Sequence, residues 1–167
     1  ADAAQGDVCD IANDNDPGQV VLSGSKAAID RVLATAKSYG VRRALPLPVS
    51  APFHCSLMRP AANSMAEVLA SATVLSPSVP LVANVSASPI VDPNEIRRSL
   101  VEQVTGTVRW RESVLAMVNA GVTHFFEIGA GKVLAGLVGR IERASHASSI
   151  GAPEALELLA GELDLAR

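Results

Sequence analysis

The sequence predicts a mixed α/β fold, and three observations lead to that class. Two apolar runs flank a cluster of turn-forming residues at 13–18, as expected for a β-hairpin. Several stretches carry apolar residues at helical spacing between capping signals. From residue 79 onward, short apolar strands alternate with helices, which is typical of parallel pairing in an α/β layer.

The first fifty residues are predicted to hold a hairpin, a helix and a further strand, at 8–13, 19–24, 25–40 and 41–49. Pro46 and Pro48 lack the amide N–H of a ladder residue, so the last strand is expected at a sheet edge or where the chain turns into a loop. This β-β-α-β order fits the latter part of a ferredoxin-like α+β unit.

The rest of the chain is predicted to alternate helices with strands: helices at 57–70, 93–104, 110–119, 133–143 and 153–160, and strands at 79–85 and 124–128. Both strands are strongly apolar and are expected to be buried. Gly161 is expected to end the last helix. Residues 129–132 fit a strand-to-helix turn better than a phosphate loop, which needs four residues between its glycines and a Ser or Thr after the Lys.

Composition excludes several classes of function. A net charge of -3 gives no electrostatic footprint for nucleic acid or an anionic membrane. The apolar runs are all shorter than the ~20 residues of a membrane-spanning helix. Cys9 and Cys55 match no zinc spacing, so we expect free thiols, no metal site and a cytoplasmic location.

His54 is the candidate catalytic residue. It lies on a loop between a proline-rich segment and the start of a helix. An imidazole titrates near neutral pH, so it can take up and return one proton during acyl transfer. Taken alone, a loop histidine is more often a surface or hydrogen-bonding residue.

Four segments resemble, in the same order, the malonyl-CoA:acyl carrier protein transacylases. The run Val-Ser-Ala-Pro-Phe-His-Cys-Ser-Leu-Met-Arg-Pro-Ala-Ala at 49–62 is similar to the histidine segment of that family. The Asn- and Asp-rich stretch at 13–24 is similar to its asparagine-rich hairpin. Glu102-Gln103 with Val-Arg-Trp at 108–110 resembles its glutamine helix, and 127–134 resembles its final strand-turn-helix.

The resemblance implies a fold and a mechanism. Residues 1–50 would be part of a ferredoxin-like small subdomain, 51–150 the distal part of an α/β hydrolase-like catalytic subdomain, and 151–167 a C-terminal tail or helix. In the family a serine attacks malonyl-CoA and a histidine, here His54, acts as base and then as acid in a ping-pong reaction. The backbone carbonyl of Gln103 would orient the imidazole.

The resemblance also implies partners and further site residues. The acyl acceptor is the pantetheine thiol of acyl carrier protein in fatty acid synthesis, and no cofactor is needed beyond the coenzyme A thioester. Asn13, Asn15 and Gln19 would hydrogen-bond pantetheine or substrate, although the two asparagines can equally serve only to build the turn. The Phe53 ring would crowd a branched acyl group.

The nucleophile segment is expected to be missing from this chain. No Gly-X-Ser-X-Gly run occurs in the 167 residues. We therefore expect an incomplete transacylase, inactive alone, whose partners include the amino-terminal half of the same enzyme. Two alternatives stay open: an acyltransferase domain of a polyketide synthase, and a non-catalytic module that binds a ligand or protein.

Overall fold

The computed structural model describes residues 4–165, which form two compact units that divide after Ser113. The first unit contains strands β1 (Cys9–Asp16), β2 (Gln19–Gly24), β3 (Leu81–Val82) and β4 (Pro89–Ile90), and helices α1 (Lys26–Thr35), α2 (Arg59–Ser71) and α3 (Pro93–Glu102). Helix α4 (Trp110–Asn119) spans the division. The second unit contains β5 (His124–Ile128), α5 (Val133–Ile141), β6 (His146–Ile150) and α6 (Pro153–Leu165). The mixed α/β class is confirmed, while the subdomain boundaries at 50 and 150 stay predictions.

Strands β1 and β2 form the predicted antiparallel hairpin. The turn is narrower than the Asn- and Asp-rich cluster suggested, because β1 continues to Asp16 and leaves only residues 17 and 18 outside the strands. The Gly18 amide donates to Asp16 Oδ1 at 2.7 Å, which closes the turn through a side chain. Two register shifts along β1 mark β-bulges or irregularities near Asn13 and Asp16.

Helix α1 begins where Ser25 predicted, but it ends at Thr35, before the predicted end at Gly40. The Ser25 hydroxyl accepts from the Ala28 amide at 3.3 Å, which satisfies one of the unpaired amides of the first turn. A 3₁₀ turn at Ala36–Tyr39 follows, and Gly40 ends it with a left-handed φ of 79°.

The strand predicted at 41–49 is wrong. The segment is exposed along its whole length and pairs with no strand among the described residues. Pro46 and Pro48 cannot donate to a ladder, and the amide hydrogen bonds of this segment are local, from Val41 to the Ala36 carbonyl at 3.1 Å and from Val49 to the Leu47 carbonyl at 2.9 Å. The β-β-α-β order is therefore not formed here, and the ferredoxin-like assignment stays a prediction.

The apolar run at 79–85 forms a much shorter strand than predicted. Only Leu81 and Val82 are in β3, which pairs antiparallel with β4, and Leu81 is 41% exposed. The prediction of a buried strand in a parallel layer is wrong for this segment. A small core lies beside it, in which Val74 and Leu100 pack against three buried residues, Ala83, Ile90 and Ile96.

Helix α3 begins at the predicted cap. Asp92 Oδ1 accepts from the amides of Asn94 and Glu95, at 3.0 and 2.9 Å, and Pro93 occupies the first helical position. The helix ends at Glu102 instead of residue 104. Helices α2 and α3 pack together, and Arg97 Nη2 donates to the Ala72 carbonyl just beyond α2 at 2.8 Å.

The second unit contains two parallel strands, which is the kind of pairing that the alternation of strands and helices predicted. Strands β5 and β6 pair in register, and α5, with Leu137 and Val138 buried, packs against both. The predicted burial of β5 is wrong, since exposed and half-buried residues alternate along it. Strand β6 was not predicted, and α6 continues through Gly161.

The turn between β5 and α5 is the strand-to-helix turn that the sequence favoured. Gly129 and Gly131 both have positive φ, 133° and 100°, which side chains with a Cβ rarely adopt. Among the helices of residues 4–165, none combines the length and the apolar content that crossing a bilayer requires.

Candidate active site

The loop that carries His54 is fixed by the residues on either side. The Phe53 amide donates to the Ala51 carbonyl at 3.0 Å. Cys55 is fully buried and its thiol donates to the Pro52 carbonyl at 3.0 Å, so this cysteine serves as a small buried anchor. Between them, His54 adopts a left-handed φ of 57°, which is uncommon for a residue with a side chain.

The structure brings His54 and Gln103 together. Imidazole Nδ1 lies 2.8 Å from the backbone oxygen of Gln103, across 49 residues of chain. A carbonyl oxygen can only accept a hydrogen bond, so Nδ1 carries the hydrogen and Nε2 keeps its lone pair. The half-buried ring is therefore held in the form that can act as a base through Nε2.

Gln103 presents this carbonyl because it caps the end of α3. Its own amide donates to the Ser99 carbonyl at 3.0 Å. The amides that follow, from residues 104–106, turn back to the carbonyls of Val101 and Glu102. The Gln103 oxygen is thus left over at the helix end, where helical carbonyls need an outside partner.

The predicted hairpin residues lie in two places. Asn15 Nδ2 donates to Gln19 Oε1 at 3.2 Å, so these two side chains face each other across the hairpin. Asn13 lies at a register shift in β1 and bridges in parallel to Val108, whose amide donates to the Ala12 carbonyl at 2.8 Å. Within residues 4–165, no hydrogen bond joins any of these amides to His54.

Phe53 lies next to His54 in the chain, and the residue is 47% exposed. Its predicted influence on acyl choice stays a prediction. Among the described residues, no three His, Cys, Asp or Glu side chains gather as a metal site.

Two arginine–carboxylate pairs hold the segment after Gln103. Arg111 forms a bidentate contact with Asp14 of β1, with Nε 3.0 Å from both oxygens and Nη2 2.6 Å from Oδ2. Arg109 pairs with Glu112 through Nε and Nη2. These hydrogen bonds raise the pKa of both arginines, and the one from Arg109 lowers the pKa of Glu112.

Sequence reasoning missed three residues around His54. Asp10 accepts a hydrogen bond from Ser56, and Asn84 donates one to Gln103. Arg109 donates to the Val85 carbonyl and so holds the loop that carries Asn84. A signal existed for Asn84, because it is a polar residue in the loop just beyond a short apolar strand, and loops at strand ends often carry functional contacts. Asp10 gave no comparable signal within its mixed strand.

Comparisons with known proteins agree on one kind of enzyme. A malonyl CoA-acyl carrier protein transacylase from Escherichia coli (strain K12) is 46% identical over 155 residues, which are 93% of this chain and 50% of that protein. The crystal structure of an acyl-carrier-protein-S-malonyltransferase from Bartonella henselae matches with a TM-score of 0.92 and 46% identity, covering 97% of this chain and 52% of the other.

A third similar protein was solved with its partner. It is a malonyl-transacylase in complex with a type II polyketide synthase acyl-carrier protein, and it matches with a TM-score of 0.89 and 40% identity over 93% of this chain and 50% of the other. No protein-family model matches the chain. The chain spans about half the length of the curated relatives it matches. The resemblance is thus confirmed, and over more than nine-tenths of its length this chain is a relative of the malonyl CoA-acyl carrier protein transacylases.

Proposed function

We propose that this chain supplies the proton-carrying half of a malonyl-CoA:acyl carrier protein transacylase of fatty acid synthesis. The observation that carries the proposal is the 2.8 Å contact between His54 Nδ1 and the Gln103 carbonyl. It leaves Nε2 as an acceptor, at a histidine that the resemblance independently selects. The malonyl-transferring relatives, at 46% identity, support the same reaction.

The first half-reaction begins with a serine from a segment outside this chain. His54 Nε2 takes the hydroxyl proton while the serine oxygen attacks the malonyl thioester carbonyl. The new C–O bond forms, the C–S bond breaks, and the imidazolium returns its proton to the leaving thiolate. The products are a malonyl ester on the enzyme and free coenzyme A, and no cofactor takes part.

The second half-reaction reverses the roles. The pantetheine thiol of acyl carrier protein gives its proton to His54 and attacks the malonyl ester. The C–S bond forms, the ester C–O bond breaks, and the serine regains its proton from the imidazolium. Throughout, the Gln103 carbonyl keeps hydrogen on Nδ1 and stabilises the positive charge that the ring acquires in each half.

The remaining predicted residues would bind the substrates. Asn13, Asn15 and Gln19 offer amides to pantetheine or to the acyl chain. Asn15 and Gln19 hydrogen-bond each other at an exposed position. A ligand could therefore replace either side chain as the partner, and the displaced amide would face water instead of being buried without a hydrogen bond. Phe53, half-exposed beside the histidine, would limit branching at the malonyl group.

The test measures transfer of radiolabelled malonyl from coenzyme A to acyl carrier protein. We expect none from the chain alone and transfer once a polypeptide equivalent to the other half of the relatives is added. In that mixture, His54→Ala should lower the rate about 10²- to 10⁴-fold, the usual contribution of a general base. His124→Ala is the matched control and should retain the rate. Transfer by the isolated chain would refute the division of roles.

A second candidate is transfer to a polyketide carrier, which the similar malonyl-transacylase bound to a type II polyketide synthase carrier favours. Comparing kcat/KM with fatty acid and polyketide carriers separates the two. If the chain is instead a non-catalytic binding module, the complemented mixture should show no malonyl transfer, with or without His54→Ala.

A further inference from the structure

We propose that Asn84 is a positioning residue for His54 and acts through the side chain of Gln103. Asn84 Nδ2 donates to Gln103 Oε1 at 3.1 Å, in a half-buried contact between residues 19 apart. Gln103 therefore meets His54 with its backbone and Asn84 with its side chain. The inference rests on the proposed function, since it assigns a residue that supports the same proton carrier.

The position of Gln103 explains why it needs such support. It lies one residue beyond the end of α3, and its carbonyl takes no part in the helical hydrogen bonds. Backbone at a helix end is held less firmly than backbone inside a helix. The direction of this carbonyl is therefore set by the contacts of Gln103 itself, and the side-chain contact with Asn84 is one of them.

Asn84 is itself firmly held. Its carbonyl accepts from the Arg109 amide at 2.9 Å, and Arg109 Nη1 donates to the carbonyls of Val85 and Ser86 at 3.2 and 3.1 Å. The turn is closed by the Ala87 amide, which donates to the Ala83 carbonyl at 2.8 Å. Asn84 thus extends from a braced turn, and it can fix Gln103 instead of following it.

The expected consequence concerns the tautomer of one ring. Without the Asn84 amide, the Gln103 side chain loses a fixed partner and its backbone carbonyl can turn away from His54. A ring without that acceptor is free to carry its hydrogen on Nε2, and in that form it cannot accept a proton there. Loss of Asn84 should therefore weaken the base without removing it.

The test reads the imidazole directly, in the 167-residue chain. Nitrogen-15 NMR of labelled histidine gives the tautomer of each of the three rings, and the His54→Ala spectrum assigns His54. We expect Asn84→Ala to move the His54 nitrogens from the Nδ1–H form toward the Nε2–H form, with His124 and His146 unchanged. Asn94→Ala is the matched control, since Asn94 is exposed at the start of α3, the helix that Gln103 caps, and accepts from Arg97.

Two further variants separate positioning from a general loss of structure. Gln103→Ala should give the same His54 spectrum as Asn84→Ala, and the double variant should add nothing, because both remove one contact. In Asn84→Asp the carboxylate can accept a hydrogen bond from the Gln103 side-chain NH₂ once that amide group rotates by 180°. The contact between residues 84 and 103 is then kept, and the His54 spectrum should stay close to the original. An unchanged His54 signal in folded Asn84→Ala would overturn the proposal.

Activity provides an independent arm. In the complemented mixture, Asn84→Ala should lower kcat about 10- to 100-fold, as small displacements of catalytic groups do, with KM for acyl carrier protein unchanged. If His54→Ala keeps full transfer, the proposed function fails whatever the NMR result. If His54→Ala abolishes transfer while the Asn84→Ala ring is unaffected, only the positioning role fails.

Discussion

Asp10 and Ser56 are joined by two hydrogen bonds, in which Asp10 Oδ2 accepts from both the Ser56 amide and the Ser56 hydroxyl at 2.9 Å. The contact connects β1 to the 3₁₀ turn that begins two residues after His54. The loop that carries His54 is therefore attached to the hairpin through Ser56 and to the end of α3 through the imidazole.

Asp10→Ala should loosen this attachment. We expect it to lower the free energy of unfolding by about 1–2 kcal/mol, as for a charge-assisted hydrogen bond at an exposed site. Urea denaturation measures the change. Asp30→Ala is the matched control, because the Asp30 pair with Lys26 is an exposed contact within one helix and should matter by less than about 0.5 kcal/mol. Equal effects of the two substitutions would contradict the anchoring role.

Gln103→Ala should impair malonyl transfer less than His54→Ala does. The substitution removes the side-chain contact with Asn84 but keeps the backbone carbonyl that accepts from Nδ1. A loss as large as that of His54→Ala would place the Gln103 side chain, rather than its carbonyl, in the reaction. Measuring kcat for both variants in the complemented assay decides between the two.

Arg111→Lys should weaken the attachment of β1 to the segment after α3. Lysine cannot reproduce the bidentate contact with Asp14, whose side chain is only 18% exposed. We expect faster hydrogen exchange at the amides of Asp14 and Val108, which cross between these segments. Exchange at the amides inside α1 should not change, and uniform acceleration would point to global destabilisation instead.

Stability should fall in acid partly through Glu112. Its hydrogen bond from Arg109 lowers its pKa below the usual 4.5, so the pair stabilises the fold above that value and loses its effect as the pH falls through the lowered pKa. Glu112→Gln should therefore have a lower free energy of unfolding than the original chain at pH 7. The difference between the two chains should be smaller at pH 3. Urea titrations at both pH values give the two differences, and a constant difference would exclude this linkage.

Gly24→Ala should strongly destabilise the hairpin. A Cβ at this position would lie 2.0 Å from the Val8 carbonyl oxygen, which is backbone and cannot move aside easily. We expect a loss of about 1–3 kcal/mol or more, as for other overpacked sites. Gly18→Ala is the comparison, since its Cβ would meet only Asp16 Oδ1 at 3.5 Å. Thermal unfolding of both variants ranks them.

The sequence was most informative where local chemistry decides the structure. Ser25, Asp92 and Gly40 cap helices through contacts within three residues or through their own backbone angle, so their positions predict the helix ends. The hairpin was predictable for the same reason, since its turn closes through Asp16 and Gly18.

Predictions failed where distant partners decide. The apolar residues at 41–49 satisfy a strand pattern, but a strand needs a paired neighbour, and two prolines remove its donors. Strand β6 carries little apolar signal and forms because β5 lies beside it in register. Gly161 permits a helix end without requiring one, and α6 continues through it. The contact between Asn84 and Gln103 likewise depends on chain folding that spacing does not reveal.

The left-handed backbone at residue 54 has a practical consequence for interpreting mutants. Alanine at this position loses the imidazole and also tolerates the backbone angle less well, so a drop in rate would mix chemistry with a rearranged loop. Asparagine adopts such angles more readily than most residues and has no titratable group. Comparing the alanine and asparagine variants therefore separates the loss of rate caused by removing the imidazole from the loss caused by a changed backbone conformation of the loop.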